Sequence, residues 1–113
     1  MDIKRRDEVP PFEFADFTLR ELTPEPFVEG SIAELTVPVG SDRPTRVNEK
    51  DHRIYVCLAG VIEFRLGDTT LRISQGDVLH IDKGEEYGFH NGGYEEGRLI
   101  LIRMPGPTSP DRF

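Results

Sequence analysis

A chain of 113 residues is the size of one domain, long enough to bury roughly two thirds of the surface its unfolded form exposes. Fourteen basic against twenty-one acidic side chains leave a net charge of -7, which repels phosphate backbones and anionic membrane surfaces and excludes both as expected partners. The opening MDIKRRDEVPPFEF lacks the apolar centre of a secretory signal, no run approaches the ~18 apolar residues of a membrane span, and the lone Cys57 permits no internal disulfide, so a cytoplasmic location is expected.

The first segment, MDIKRRDEVPP, carries charge and proline without an apolar period. It is expected to fray or to wrap a neighbouring subunit. Its basic run Lys4-Arg5-Arg6 is flanked by Asp2, Asp7 and Glu8, which largely cancel its field. No segment holds an apolar i, i+3, i+4, i+7 pattern over three turns, whereas short runs rich in Val, Ile, Phe and Leu recur between Gly, Pro and Asp. The chain therefore reads as all-β, with little or no helix. The expected strands are Phe12 to Leu19, Ser31 to Val39, Arg53 to Leu58, Val61 to Leu66, Thr69 to Ile73, Asp77 to Ile81, a short piece around Tyr87 to His90, and Arg98 to Met104.

The turns between them have recognisable chemistry. Leu58-Ala59-Gly60 and Gly67-Asp68 read as tight connections, and Gly76-Asp77 and Gly92-Gly93 mark later corners, so strands adjacent in sequence are expected to pair antiparallel. In the strand at 53–58, Ile54, Val56 and Leu58 alternate with Tyr55 and Cys57, so both faces are apolar and both are expected to be covered. Cys57 reads as a small buried hydrophobe. The last segment, PGPTSPDRF, resembles the first in composition, and the same fraying or wrapping is expected of it.

The spacing of GDVLHIDKGEEYGFHN is more specific. Gly76, five residues, Asp82-Lys83-Gly84, two residues, Tyr87, three residues and Asn91 resemble the second motif of the cupin superfamily, which has proline, histidine and asparagine at the places of Asp82, Tyr87 and Asn91. Upstream, Arg53-Ile-Tyr-Val-Cys-Leu-Ala-Gly60 resembles the end of the first cupin motif, in which a glutamate stands at the place of Arg53. The resemblance implies a cupin-type double-stranded β-helix, a jelly-roll barrel of one domain spanning 1–113 with its core at about 30–104. The strand at 12–19 would pack on its own barrel or on that of a partner. The family also implies a homodimer and, in many members, a divalent metal held by three histidines and a glutamate.

Here the ligand positions are altered. Counting back from Arg53, a three-residue spacer puts Val47 and Glu49 at the two motif-one histidine positions, and a four-residue spacer puts Arg46 and Asn48 there. On either count no histidine remains, and a guanidinium has no lone pair to give a metal. No cofactor is expected, and the proline replaced by Asp82 leaves its turn less rigidly set. With Arg53 inward, alternation turns Tyr55 and Cys57 inward and His52 outward, and an inward Tyr87 sends His90 away. His52, His80 and His90 then read as surface or sheet histidines. A bulge would reverse this, and Glu49, Asp51, His52 and His90 would then be the fallback ligands for a divalent transition metal.

The residues expected around the barrel's ligand pocket are Arg46, Asn48, Glu49, Arg53, Tyr55 and Tyr87. Such a set favours a small anionic or sugar-like metabolite, since arginine grips carboxylate or phosphate through paired hydrogen bonds. Alternatively, Arg53 pairs with an interior carboxylate such as Glu49 or Glu63. Whether the chain is an enzyme stays open. The alternatives to a binding module are a metal-independent sugar isomerase or epimerase with Tyr87 as its catalytic acid, and a metal-dependent oxygenase, isomerase or lyase.

Overall fold

The computed structural model describes residues 1–24 and 29–105. Among these, the chain forms ten strands and no α-helix: β1 (Phe12–Phe14), β2 (Phe17–Glu21), β3 (Ser31–Val37), β4 (Asp42–Val47), β5 (His52–Ala59), β6 (Ile62–Leu66), β7 (Thr69–Ile73), β8 (Val78–Ile81), β9 (Glu86–His90) and β10 (Gly97–Met104). Six strands in the order β1-β2-β3-β10-β5-β8 make one sheet, and four in the order β4-β9-β6-β7 make the other. Both sheets are antiparallel throughout.

The core lies between the sheets and is drawn from alternate residues of both, as a period of two requires. Leu35, Val37, Tyr55, Cys57, Leu99 and Leu101 come from the large sheet, and Ile62, Phe64, Tyr87 and Phe89 from the small one. Ring contacts link the layers: Tyr55 lies 5.2 Å from Phe64 and 5.9 Å from Phe89, and Phe17 lies 5.3 Å from Phe89, between centroids. Each such pair contributes about 0.5–1.5 kcal/mol beyond the area it buries.

Four features differ from the sequence reading. The run from Phe12 to Leu19 is a hairpin rather than one strand. Phe14 opposes Phe17 across the two-residue turn Ala15-Asp16, in which Ala15 takes a positive φ of 54°. The alternation slips by one residue there, from Phe12 and Phe14 to Phe17 and Leu19, and that change of phase is the sequence signal of the turn. β2 then pairs with β3 of the same chain. Secondly, Leu58-Ala59-Gly60 carries the chain from one sheet to the other, and β5 pairs with β10 and β8 rather than with β6. A tight turn fixes the reversal of the chain but not the layer it returns in.

Thirdly, DRPTRV forms β4, which no apolar alternation announces. It is an edge strand pairing with β9 alone, with a register shift between Arg43 and Arg46 that accommodates Pro44. Finally, the N-terminal segment is tied down. Arg6 Nε donates to Glu34 Oε1 at 2.9 Å and Arg20 Nε to the Val9 carbonyl at 3.3 Å. The local screening expected of Asp7 exists, at 3.1 Å from Arg6, but the guanidinium spans both carboxylates. The expectation for the C-terminal segment concerns 106–113, outside the described residues.

Candidate functional site

One end of the barrel interior is polar. Inward parity on β5 buries Arg53 and Tyr55 at 5% and 0% exposure, and on β9 it buries Tyr87 at 0%. These three side chains form a continuous network. Asp51 Oδ1 accepts from Arg53 Nε at 2.8 Å, Arg53 Nη1 donates to the Tyr87 hydroxyl at 2.8 Å, and the hydroxyls of Tyr55 and Tyr87 lie 2.6 Å apart. Arg53 thus takes an interior carboxylate, but it is Asp51. Glu49 is exposed, and Glu63 pairs with Arg72 at 3.4 Å on the other sheet.

Two further arginines enter this end, and neither was among the expected pocket residues. Arg43, 3% exposed, lays its guanidinium carbon 4.0 Å from the centre of the Tyr87 ring, and its Nη1 donates to the Tyr87 carbonyl at 2.9 Å. It points inward because it stands opposite the buried Phe89 in the β4 and β9 ladder, just before the irregularity. Arg65 of β6 clamps the strand there, donating from Nη2 to the Arg43 carbonyl at 2.9 Å, from Nη1 to Asp42 Oδ1 at 3.0 Å and from Nε to Thr45 Oγ1 at 3.2 Å. Opposite the bend, Gly88 lets the backbones close in, since a Cβ there would meet the Arg43 carbonyl at 2.6 Å. Arg103, 0% exposed, sits directly across from Arg53 in the β10 and β5 ladder, and its Nη2 donates to Glu21 Oε2 at 2.9 Å.

The charges act on one another. Burial lowers the Arg43 pKa from its ordinary value, and the neighbouring charges of Arg53 and Arg46 add to that fall against the opposing pull of Tyr87 and Tyr55. Burial likewise lowers Arg103, with Glu21 opposing and Arg53 reinforcing the fall. Burial pulls Arg53 down as well, yet the oxygens of Tyr55 and Tyr87 and the Asp51 carboxylate outweigh it, and its pKa is raised. Arginine keeps its proton across this whole range. Burial pushes the Tyr55 phenol well above its ordinary value, so at neutral pH it is an uncharged hydroxyl.

The other expected pocket residues divide. Asn48 is buried, but as a brace for its loop. Its Nδ2 donates to the Asp51 carbonyl at 2.7 Å, its N–H donates to the Glu85 carbonyl at 2.8 Å, and its carbonyl accepts from Gly84 N–H at 2.6 Å. Arg46 is exposed and stands in register with Tyr87, at the rim of the arginine group. The fallback ligands Glu49, Asp51, His52 and His90 do not converge. Asp51 is held by Arg53, His52 faces outward on β5, and His90 lies on the small sheet 3.8 Å from Asp42. Among the described residues, the cluster close enough to share an ion is a different one, His52, His80 and Asp82, and it is exposed.

A divalent cation placed among Arg53, Tyr55, Tyr87 and Arg43 would meet two fixed positive charges and two phenols, and the interior carboxylate nearby is already engaged. That donor set does not fit a transition metal. It does suit an anion, through charge-assisted hydrogen bonds.

The profile of the cupin domain matches residues 33–103. No curated protein matches the chain by sequence. Among solved structures, an RmlC-like cupin from Shewanella frigidimarina superposes with a TM-score of 0.84 at 10% identity, over 94% of this chain and 92% of that one. Ectoine synthase from P. lautus gives 0.84 at 17% identity, over 96% and 80%. KdgF from a Halomonas species gives 0.81 at 14% identity, over 91% and 94%. At such identities the likeness is one of fold.

Proposed function

Because the chain belongs to the cupin family, its profile match taking in 33–103, we propose that it is a cupin with no metal in its barrel interior. In this reading it binds a small anionic metabolite, carboxylate or phosphate in charge and sugar-like in body, at the arginine-bearing end of the barrel. The observation that carries the reading is the direct opposition of Arg53 and Arg103 on the buried face of β5 and β10, with Arg43 on the Tyr87 ring beside them. Like charges opposed across a ladder destabilise it. Asp51 pairs with Arg53 and Glu21 with Arg103, and Arg46 stands in register with Tyr87 at the rim. In a chain of net charge -7, this gathering of arginines around two phenols favours an anion, which arginine grips bidentately while phenols orient the rest.

The two enzymatic readings receive less support. An isomerase or epimerase with Tyr87 as acid needs an interior base, and the rings of His52, His80 and His90 are all partly solvent-exposed. A metal-dependent oxygenase, isomerase or lyase needs convergent interior ligands, which Arg53 and Tyr87 do not supply. The proposal includes a homodimer in the cytoplasm, joined through the outer face of the large sheet. There Ile54, Val56, Ile100 and Ile102 form neighbouring cross-strand pairs that are only half-buried. Light scattering that finds a monomer at micromolar concentration rules that interface out.

A thermal-shift panel of sugar phosphates and small carboxylates tests the ligand class. A ligand at about 100 times its Kd adds about 2.7 kcal/mol of stability, and Arg46→Ala and Arg43→Met should each abolish the shift. No shift across the panel, or a shift undiminished in both variants, overturns the anion reading. Near-stoichiometric iron, manganese or nickel that leaves the protein on Tyr87→Phe overturns the metal-free interior.

A further inference from the structure

We propose that the outer face of the large sheet carries a second, separate site, in which His52, His80 and Asp82 hold a divalent ion of the zinc class. The register of β5 and β8 sets Ile54 opposite His80 and Arg53 opposite Ile81. One step further along that ladder, His52 meets Asp82, with His80 as its diagonal neighbour, both within reach across strands. Arg53 and Ile81, which lie between these residues in sequence, point into the barrel and are buried. The three potential ligands therefore share the opposite face.

The geometry is close to that of a metal site. Asp82 Oδ1 lies 3.5 Å from His52 Nδ1 and 3.3 Å from His80 Nε2, and the ligand atoms of all three lie within 4.8 Å of one another. Bonds of about 2.0–2.2 Å in a tetrahedral site place ligand atoms roughly 3.4 Å apart. Both imidazole–carboxylate edges already have that length, and only the edge between the two histidines has to close. The two rings lie 5.9 Å apart at 30°, and side chains about half exposed can make that adjustment by rotation. Ligation displaces the hydrogen bond that His52 Nδ1 accepts from Lys83 N–H at 3.4 Å. The turn itself is braced independently, because Asp82 N–H donates to Glu85 Oε1 at 2.7 Å.

Two imidazoles and a carboxylate form a donor set suited to zinc, and three protein ligands leave a fourth position for water or another ligand. His52 and His80 stand on hydrogen-bonded strands and Asp82 on the braced turn directly after β8, so the cluster is pre-positioned. Calorimetric titration of chelator-stripped full-length protein with zinc chloride, alongside the visible absorption of bound cobalt(II), tests the site. One ion per chain is expected, with the cobalt spectrum of a four-coordinate centre. Losing even an outer-sphere partner of a metal costs about 10–100-fold in affinity, so His52→Ala, His80→Ala and Asp82→Asn should each weaken zinc at least tenfold, whereas His90→Ala on the other sheet should not. All three substitutions are at exposed positions, and circular dichroism verifies the fold. Absence of binding to the wild-type chain, or an affinity unchanged in the His52→Ala/His80→Ala double variant, overturns the assignment.

Discussion

Asp51→Asn removes one charge from the barrel's polar end while preserving shape and an acceptor for Arg53 Nε. Asp51 and Arg53 are 4% and 5% exposed, and their 2.8 Å contact is shielded from water. Breaking a buried pair from one side costs about 3–5 kcal/mol, because the remaining charge is left in a poorly solvating interior. Keeping the acceptor puts the expected loss at the low end, about 3 kcal/mol. An unfolding entropy of about 2.1 cal/mol/K per residue, taken over 113 residues, turns that into a fall in Tm of about 13 °C. Arg53→Met should cost about 2–3 kcal/mol, since it orphans Asp51 but relieves Arg103 of its opposed cation. The double variant should recover about 2 kcal/mol of the summed loss, the coupling expected of contacting charges. Urea denaturation of the four proteins measures all of this. Asp51→Asn within about 0.5 kcal/mol of wild type, or strictly additive losses in the double variant, would refute the claim that this pair holds the cationic end together.

Gly88→Ala should destabilise by about 1–3 kcal/mol in urea, because its Cβ would meet backbone at 2.6 and 2.8 Å, and it should also abolish any anion-dependent thermal shift by displacing Arg43. Burial raises the Glu34 carboxyl, but hydrogen bonds and charges from Arg6 and Arg98 outweigh it and hold its pKa below the ordinary value. A depressed folded value means its contribution is fully present above the unfolded value of about 4.3 and is lost as pH falls through the folded one. Wild type should therefore lose stability more steeply than Glu34→Gln below about pH 4.3, and equal acid slopes in urea titrations would contradict this. Burial pushes the Cys57 thiol up, so disulfide reagents should modify it only as fast as the chain unfolds; rapid modification of the native protein would contradict its place in the core.

The β architecture could be read from the sequence because its cause is local. Alternation reports which face is buried, and glycines report where φ must be positive, as at Gly67, Gly76 and Gly84. The inward aim of Arg53, Tyr55, Cys57 and Tyr87 followed from the same period of two. Arg43 did not, because β4 has no alternation and depends on Arg65 and Gly88, which lie more than a strand away in sequence. Arg103 ends an apolar strand where a charge reads as solvated, and its partner Glu21 is 82 residues distant. Asp51 was more accessible, since an i, i+2 spacing places it on the side of Arg53. The outward aim of His52 was readable too, but its meeting with His80 and Asp82 depends on the β5 and β8 register, which no local pattern encodes.

The irregularity in β4 has a consequence for solubility as well. β4 is one of the two edge strands of the small sheet, the position from which sheets recruit further strands and grow into aggregates. Pro44 offers no N–H to an incoming chain, and the shifted register between Arg43 and Arg46 interrupts the row of groups that such a chain would follow. The bend that follows Arg43 therefore blunts an open edge. Straightening it to redesign the interior would at once expose a template for edge-to-edge assembly.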